Sequence, residues 1–151
     1  MSPRQADIRS SDAFQAHPDL RAGFSGLAPA TARAAGSVLF RQGEESHGVF
    51  LLLEGRARLL LSTPRASELP IRIVGPGYLL GLPSAIVGSP FIYSAELLED
   101  AKVVFVGRET LLHFLRTRGD LCFDVVQLLG MEVREMPGAA ARHADRRRRR
   151  R

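Results

Sequence analysis

The stretch "SVLFRQGEESHGVFLLLEGRARLLLS", residues 37–62, constrains the fold more than any other part of the chain. It has a β-branched and aromatic start, a polar, Gly-containing turn, an apolar run from Val49 to Leu53 and a Glu54-Gly55 turn, which read as short strands. In the run that follows, Ala57, Leu59 and Leu61 alternate with Arg56 and Arg58, as a half-buried strand requires. "TPRASELP" reads as a polar loop, "IRIV" as a further short alternating strand, and "GPG" at residues 75–77 as a hard turn. "LEDAKVVFVGRE" adds a late strand through Val103 to Val106. Short strands punctuated by Gly and Pro predict a mainly β domain of the roll or barrel type.

Two helical patterns follow. In "RETLLHFLRTR" the residues Leu111, Leu112, Phe114 and Leu115 form one apolar face, ending near Gly119. In "DLCFDVVQLLGMEVREM" the positions Cys122, Val126, Leu129, Val133 and Met136 recur at 4-3-4-3 spacing. Leu121, Val125 and Leu128 widen that face near its start. The narrow late stripe suits a helix that meets a partner helix, and packing on its own β-domain is the other reading. Pro137-Gly138 stops the helix. The expected organisation is an N-terminal segment 1–36, loose or with one or two helical turns, a folded domain 37–136, and an Arg-rich low-complexity tail 137–151.

At 151 residues the chain is the size of one domain, and 45% hydrophobic residues without a run of about 18 apolar positions exclude a spanning helix. The first twenty residues lack the apolar core of a signal peptide, and the lone Cys122 fits a reducing compartment, so the cytoplasm is the expected location. The last six residues, Arg146 to Arg151, outweigh the net charge of +5, leaving the rest of the chain slightly acidic. Electrostatic attraction to nucleic acid therefore falls to that tail, whose alternative is a self-repelling terminus with no partner.

The segment "LFRQGEESHGVFLLLEG" resembles the turn and paired-strand signature of the cyclic nucleotide-binding domain family. Leu39-Phe40, Gly43-Glu44, Val49 to Leu52 and Gly55 fill its positions, and Ser46 stands where the family prefers Gly, Ala or Cys. The resemblance covers roughly residues 37–136. It implies a double-stranded β-helix, or jelly-roll-like β-roll, with flanking helices and a C-terminal dimerisation helix.

The second motif is "LLGLPSAIVGSPFIYSAE", residues 79–96. It looks like the family's phosphate-binding cassette, in which a short helix offers backbone N–H groups to a cyclic phosphate, an Arg binds the same phosphate and a Glu accepts from the ribose hydroxyl. Leu80, Gly81, Ser84, Ser94 and Ala95 keep that frame, while Leu82 holds the Glu position and Tyr93 the Arg position. Pro83 removes one backbone donor. A hydrogen bond to a charged group contributes roughly 1.5 to 3 kcal/mol, or about one to two decades of affinity. Losing both polar keys weakens a cyclic nucleotide site accordingly. The expected ligand-binding positions are Gly81, Leu82, Pro83, Ser84, Ala85, Tyr93, Ser94 and Ala95, serving a non-standard ligand or none. Tyr93, or an arginine from elsewhere such as Arg56, Arg58 or Arg72, is the compensation available to a cyclic nucleotide.

No catalytic residues are expected. Glu44, Glu45, Glu96, Glu99 and Asp100 sit in turns or at strand ends, and His17, His47, His113 and His143 have no metal-ligand spacing. Cys122 lies at an apolar helical position, as a core thiol does. The chain is thus expected to be a non-enzymatic sensor or regulatory domain, a homodimer through the helix from Leu121 to Met136, with an unidentified protein partner and no membrane contact. The alternative is a shortened transcriptional regulator of the catabolite-activator type that holds nucleic acid nonspecifically through Arg146 to Arg151.

Overall fold

A computed structural model describes residues 16–134. The residues before Ala16, together with Met136, Pro137 and the arginine tail, lie outside the described residues. In chain order the elements are α1 (Pro18–Ser25), β1 (Ala30–Arg33), β2 (Val38–Phe40), β3 (Gly48–Glu54), β4 (Ala57–Leu61), β5 (Leu69–Val74), β6 (Leu79–Leu80), α2 (Leu82–Val87), β7 (Ser94–Leu97), β8 (Ala101–Gly107), α3 (Arg108–Thr117) and α4 (Gly119–Arg134). The strands form two four-stranded sheets, β1-β8-β3-β6 and β2-β7-β4-β5, with antiparallel neighbours throughout. Antiparallel sheets closed face to face make the expected β-roll, with helices on the outer face of the first sheet.

Strand β3 explains its own apolar run. Phe50 and Leu52 point into the roll, where they meet Leu59, Val74, Leu80 and Val103. Val49 and Leu51 point the other way, onto Leu20 and Phe24 of α1 and Leu111 and Phe114 of α3. With both faces covered there is no position for a polar residue. Strand β4 departs from strict alternation. Leu60 is buried as well as Leu59, while Leu61 is half-buried. At the same place β5 carries an extra residue, Ile71, between Arg72 and Pro70, the partners of Leu59 and Leu60.

The motif glycines meet two steric needs. Gly55 turns β3 into β4 at φ +93°, and a Cβ there would lie 2.8 Å from the Asp100 carbonyl oxygen. Gly81 opens α2 at φ +82° and sits against the Phe91 ring. Both combine a left-handed conformation with close approach, which only glycine tolerates cheaply. Ser46 is buried, consistent with a position that favours small residues.

From Ala16 on, the N-terminal segment contributes a helix and a strand. Helix α1 buries Leu20 and Phe24, the latter edge-on to Phe114 at 5.4 Å. Strand β1 pairs with β8 in the register Ala30↔Val104. All four residues of β1 are exposed, so "ATAR" carries no burial pattern to announce a strand. In α3 the residues Leu111, Phe114 and Leu115 are buried as their spacing predicts. In α4, Leu121 and Val125 are buried, Cys122 and Leu129 half-buried, and Phe123, Val126 and Val133 exposed.

Candidate functional site

The cassette residues do not converge on one point. Gly81 and Tyr93 do meet: the Gly81 N–H donates to the Tyr93 hydroxyl at 3.1 Å. Leu82 and Ala85 belong to the cluster between the first sheet and the helices. Pro83 occupies the first turn of α2, where its missing N–H breaks no helical bond. Ser84 is buried and its hydroxyl donates to the Pro90 carbonyl at 3.1 Å. The Ser94 hydroxyl accepts from the Gln42 N–H at 2.8 Å, tying β7 to the end of β2, and Ala95 lines the roll interior. Arg108 fixes the far end of the cassette helix, its Nε donating to the Ala85 carbonyl at 2.9 Å.

Aromatic rings fill the inside of the roll beside Gly81. Phe40 stacks on Phe91 with ring centres 3.9 Å apart and planes 12° from parallel. Tyr93 lies 5.8 Å from Phe40, and Phe50 6.0 Å from it on another side. The first donor that a phosphate would meet in this cassette is therefore taken by a phenol, with hydrophobic rings around it.

Deeper in the roll, polar contacts lead to α4. Arg72 Nη1 of β5 donates to the Tyr78 hydroxyl at 3.1 Å, and that hydroxyl donates to Glu132 Oε1 at 2.5 Å. Arg72, Tyr78, Tyr93 and Glu132 are all less than a tenth exposed. The space left beneath α4, lined by Tyr78, Leu79, Leu82, Leu128 and Glu132, measures about 10 Å³, no more than one water needs.

Of the three arginines considered from sequence, only Arg72 turns inward. Arg56 pairs with Glu99 at 3.4 Å and Arg58 with Glu96 at 3.1 Å on the outside of the second sheet. Glu132 gave no sequence signal, because one acid between Met131 and Val133 on an amphipathic helix reads as a solvated side chain. Arg72 carried a faint one: it shares the inward parity of Val74 in a strand of alternating isoleucines.

Burial pushes the Glu132 carboxyl above the ordinary carboxylate range, and the hydrogen bond from Tyr78, the Arg72 charge and the nearby Tyr93 hydroxyl only partly offset it. Burial likewise raises both phenols, with the nearby Glu132 charge adding to the effect at Tyr78. The native protein holds the Glu132 proton more tightly than the unfolded chain does. Stability from this group is therefore full below the ordinary carboxylate value and declines as the pH climbs from there through the raised native one. Thermal midpoints across that window should fall with rising pH in the wild type, and the slope should flatten in Glu132→Gln. Equal slopes would mean that Glu132 titrates as a solvated acid.

Over residues 31–118, more than half of its length, the chain matches the family profile described as "Cyclic nucleotide-binding domain". It belongs to that family. Among the relatives of this domain is the Cyclic AMP receptor protein of Thermus thermophilus, 27% identical over 100 residues, a match covering 66% of this chain and 46% of that protein. Another is the human Patatin-like phospholipase domain-containing protein 6, 25% identical over 103 residues, which are 68% of this chain and 8% of that one. The chain thus spans less than half the length of either relative. The crystal structure of Thermus thermophilus Catabolite Activator Protein superposes with a TM-score of 0.72 at 23% identity, covering 85% of this chain and 59% of that one. This likeness places the two-sheet roll and its flanking helices in the catabolite-activator-like fold.

Among the described residues, no group of three or more His, Cys, Asp and Glu side chains is placed to hold a metal ion. Nor is any helix among them long and apolar enough to cross a membrane.

Proposed function

We propose that this chain is a non-enzymatic, cytoplasmic regulatory domain of the cyclic nucleotide-binding family whose nucleotide position is filled by its own side chains. It holds its shape without cyclic AMP or cyclic GMP and signals through α4. The observation that carries this reading is the Tyr93 hydroxyl on the Gly81 N–H, within the stack of Phe40 and Phe91. A cyclic phosphate needs that N–H and a cationic partner. Here the N–H is engaged, and the arginine nearest the site is bonded to Tyr78.

Thermal unfolding against cyclic mononucleotides and cyclic dinucleotides tests it. A ligand at about a hundred times its dissociation constant adds roughly 2.7 kcal/mol and raises the midpoint by several degrees. The expected result is no shift with any of them. A rise of several degrees with cyclic AMP or cyclic GMP would show that Tyr93 moves aside for nucleotide.

Helix α4 supplies the output surface. Phe123, Val126 and Val133 are 63%, 56% and 71% exposed, and Val126 and Val133 lie seven residues apart, two turns along one side of the helix. Such a stripe suits pairing with a second copy of the chain. Val126→Asp should convert the dimer to monomer in sedimentation velocity with little change in monomer stability, because the residue is largely exposed. A variant that still sediments as a dimer rejects α4 as the seam.

A further inference from the structure

Along the side of α4 that faces the roll, Leu121, Val125, Leu128 and Glu132 recur at 4-3-4 spacing, three apolar residues and then an acid. Leu121 and Val125 are fully buried and share a cluster with Phe24 of α1 and Phe114 of α3, so apolar packing anchors the first half of the helix. The second half is held otherwise. Leu128 and Leu129 are half-buried, and among the described side chains from Gly130 onward Glu132 alone is buried. It meets Tyr78, which lies between the turn at residues 75–77 and β6, with Arg72 of β5 behind the phenol. The Tyr78 hydroxyl accepts from one and donates to the other, so one line of donors crosses the boundary between roll and helix. Apolar packing weakens gradually as two surfaces part, whereas a hydrogen bond is lost within about 1 Å of added separation. A buried carboxylate and phenol drawn apart without water are both penalised. The stable positions are therefore the closed one and one in which the distal turns have lifted far enough for water to serve both groups.

We propose that the Arg72–Tyr78–Glu132 chain is a latch for the last two turns of α4, residues 128–134. Closed, it seats those turns on the roll and keeps Val133 in line with Val126. Open, it frees them and breaks the exposed stripe, while Leu121 and Val125 hold the first half in place. Tyr78 stands three residues before Gly81, so the latch ties the helix to the strand that leads into the filled cassette. The consequence for the stripe rests on the reading of α4 as the output surface; the latch itself does not.

Glu132→Ala removes the latch and, because alanine favours helix, does not weaken α4 through its propensity. Amide hydrogen exchange of the full chain reads the result. Residues 128–134 should exchange about tenfold to a hundredfold faster than in the wild type, the loss expected for a hydrogen bond to a charged group, while residues 121–127 keep their wild-type rates. Glu132→Gln, whose amide oxygen still accepts from Tyr78, should fall between the two. Wild-type exchange at residues 128–134 in the alanine variant, or an equal acceleration at residues 121–127, would overturn the latch. Should the alanine variant fail to fold, Tyr78→Phe takes its place under the same two criteria, since it keeps the ring and loses only the donor. Sedimentation velocity on the same variant separates the latch from the output reading. Weaker self-association is expected, and a wild-type profile beside fast distal exchange rejects α4 as the output surface and leaves the latch standing.

Discussion

Arg72→Met destabilises the domain by about 1 to 3 kcal/mol at neutral pH, the usual cost of leaving a buried polar group without its partner. The reason lies in what remains. Glu132 keeps its place less than a tenth exposed, its charge no longer compensated by the guanidinium, and Tyr78 loses the donor behind its hydroxyl. The deficit shrinks at acidic pH, where Glu132 takes up a proton and the cost of burying a charge disappears. Adding Glu132→Leu to the same chain recovers part of the loss, since the buried carboxylate goes with the cation beside it while the Tyr78 hydroxyl loses its acceptor. Chemical denaturation of the wild type, both single variants and the double variant gives the coupling directly. Losses that simply add would show that the two residues do not sense each other.

Phe24→Ala is the second large effect. Phe24 is wholly buried, meets Phe114 edge-on, and packs in the same cluster as Val49, Leu51 and Val104 of the first sheet. Removing a ring from such a place costs about 3 to 5 kcal/mol through lost transfer free energy and the cavity left behind. The urea midpoint should fall with the slope unchanged. A loss below about 1 kcal/mol, the range of most surface changes, would mean that α1 is peripheral to the fold.

These two residues also mark where the sequence was legible and where it was not. The roll was readable because β3 is apolar on both faces and Gly55 and Gly81 occupy positions closed to a side chain. Helix α3 was readable because one face is buried and the other is wet. Helix α1 was legible only as one or two helical turns without a position, because eight residues with two buried side chains make a short period, and β1 shows four exposed residues in a row. At the site, the sequence located Tyr93 at the position of the missing arginine. Its bond to Gly81 depends on how the loop after α2 folds back, as does the Phe91 ring that stacks on Phe40. Glu132 lay further out of reach. Whether an acid on an amphipathic helix faces water or the Tyr78 phenol is decided by the seat of α4 on the roll, which no local pattern encodes.

The pairing of the strands also dictates an order of events during synthesis. β1 waits for β8, and β2 for β7, so the earliest strands made are joined to the last. Until β8 leaves the ribosome, β3 has an apolar run and one unfilled edge, the state most exposed to mispairing with another chain. Closing such distant partners is slow because the loop entropy is lost before any contact repays it. A nascent chain that stalls just before Ala101 thus holds seven of the eight described strands, yet leaves β1 and one edge of β3 without the partner that closes the first sheet.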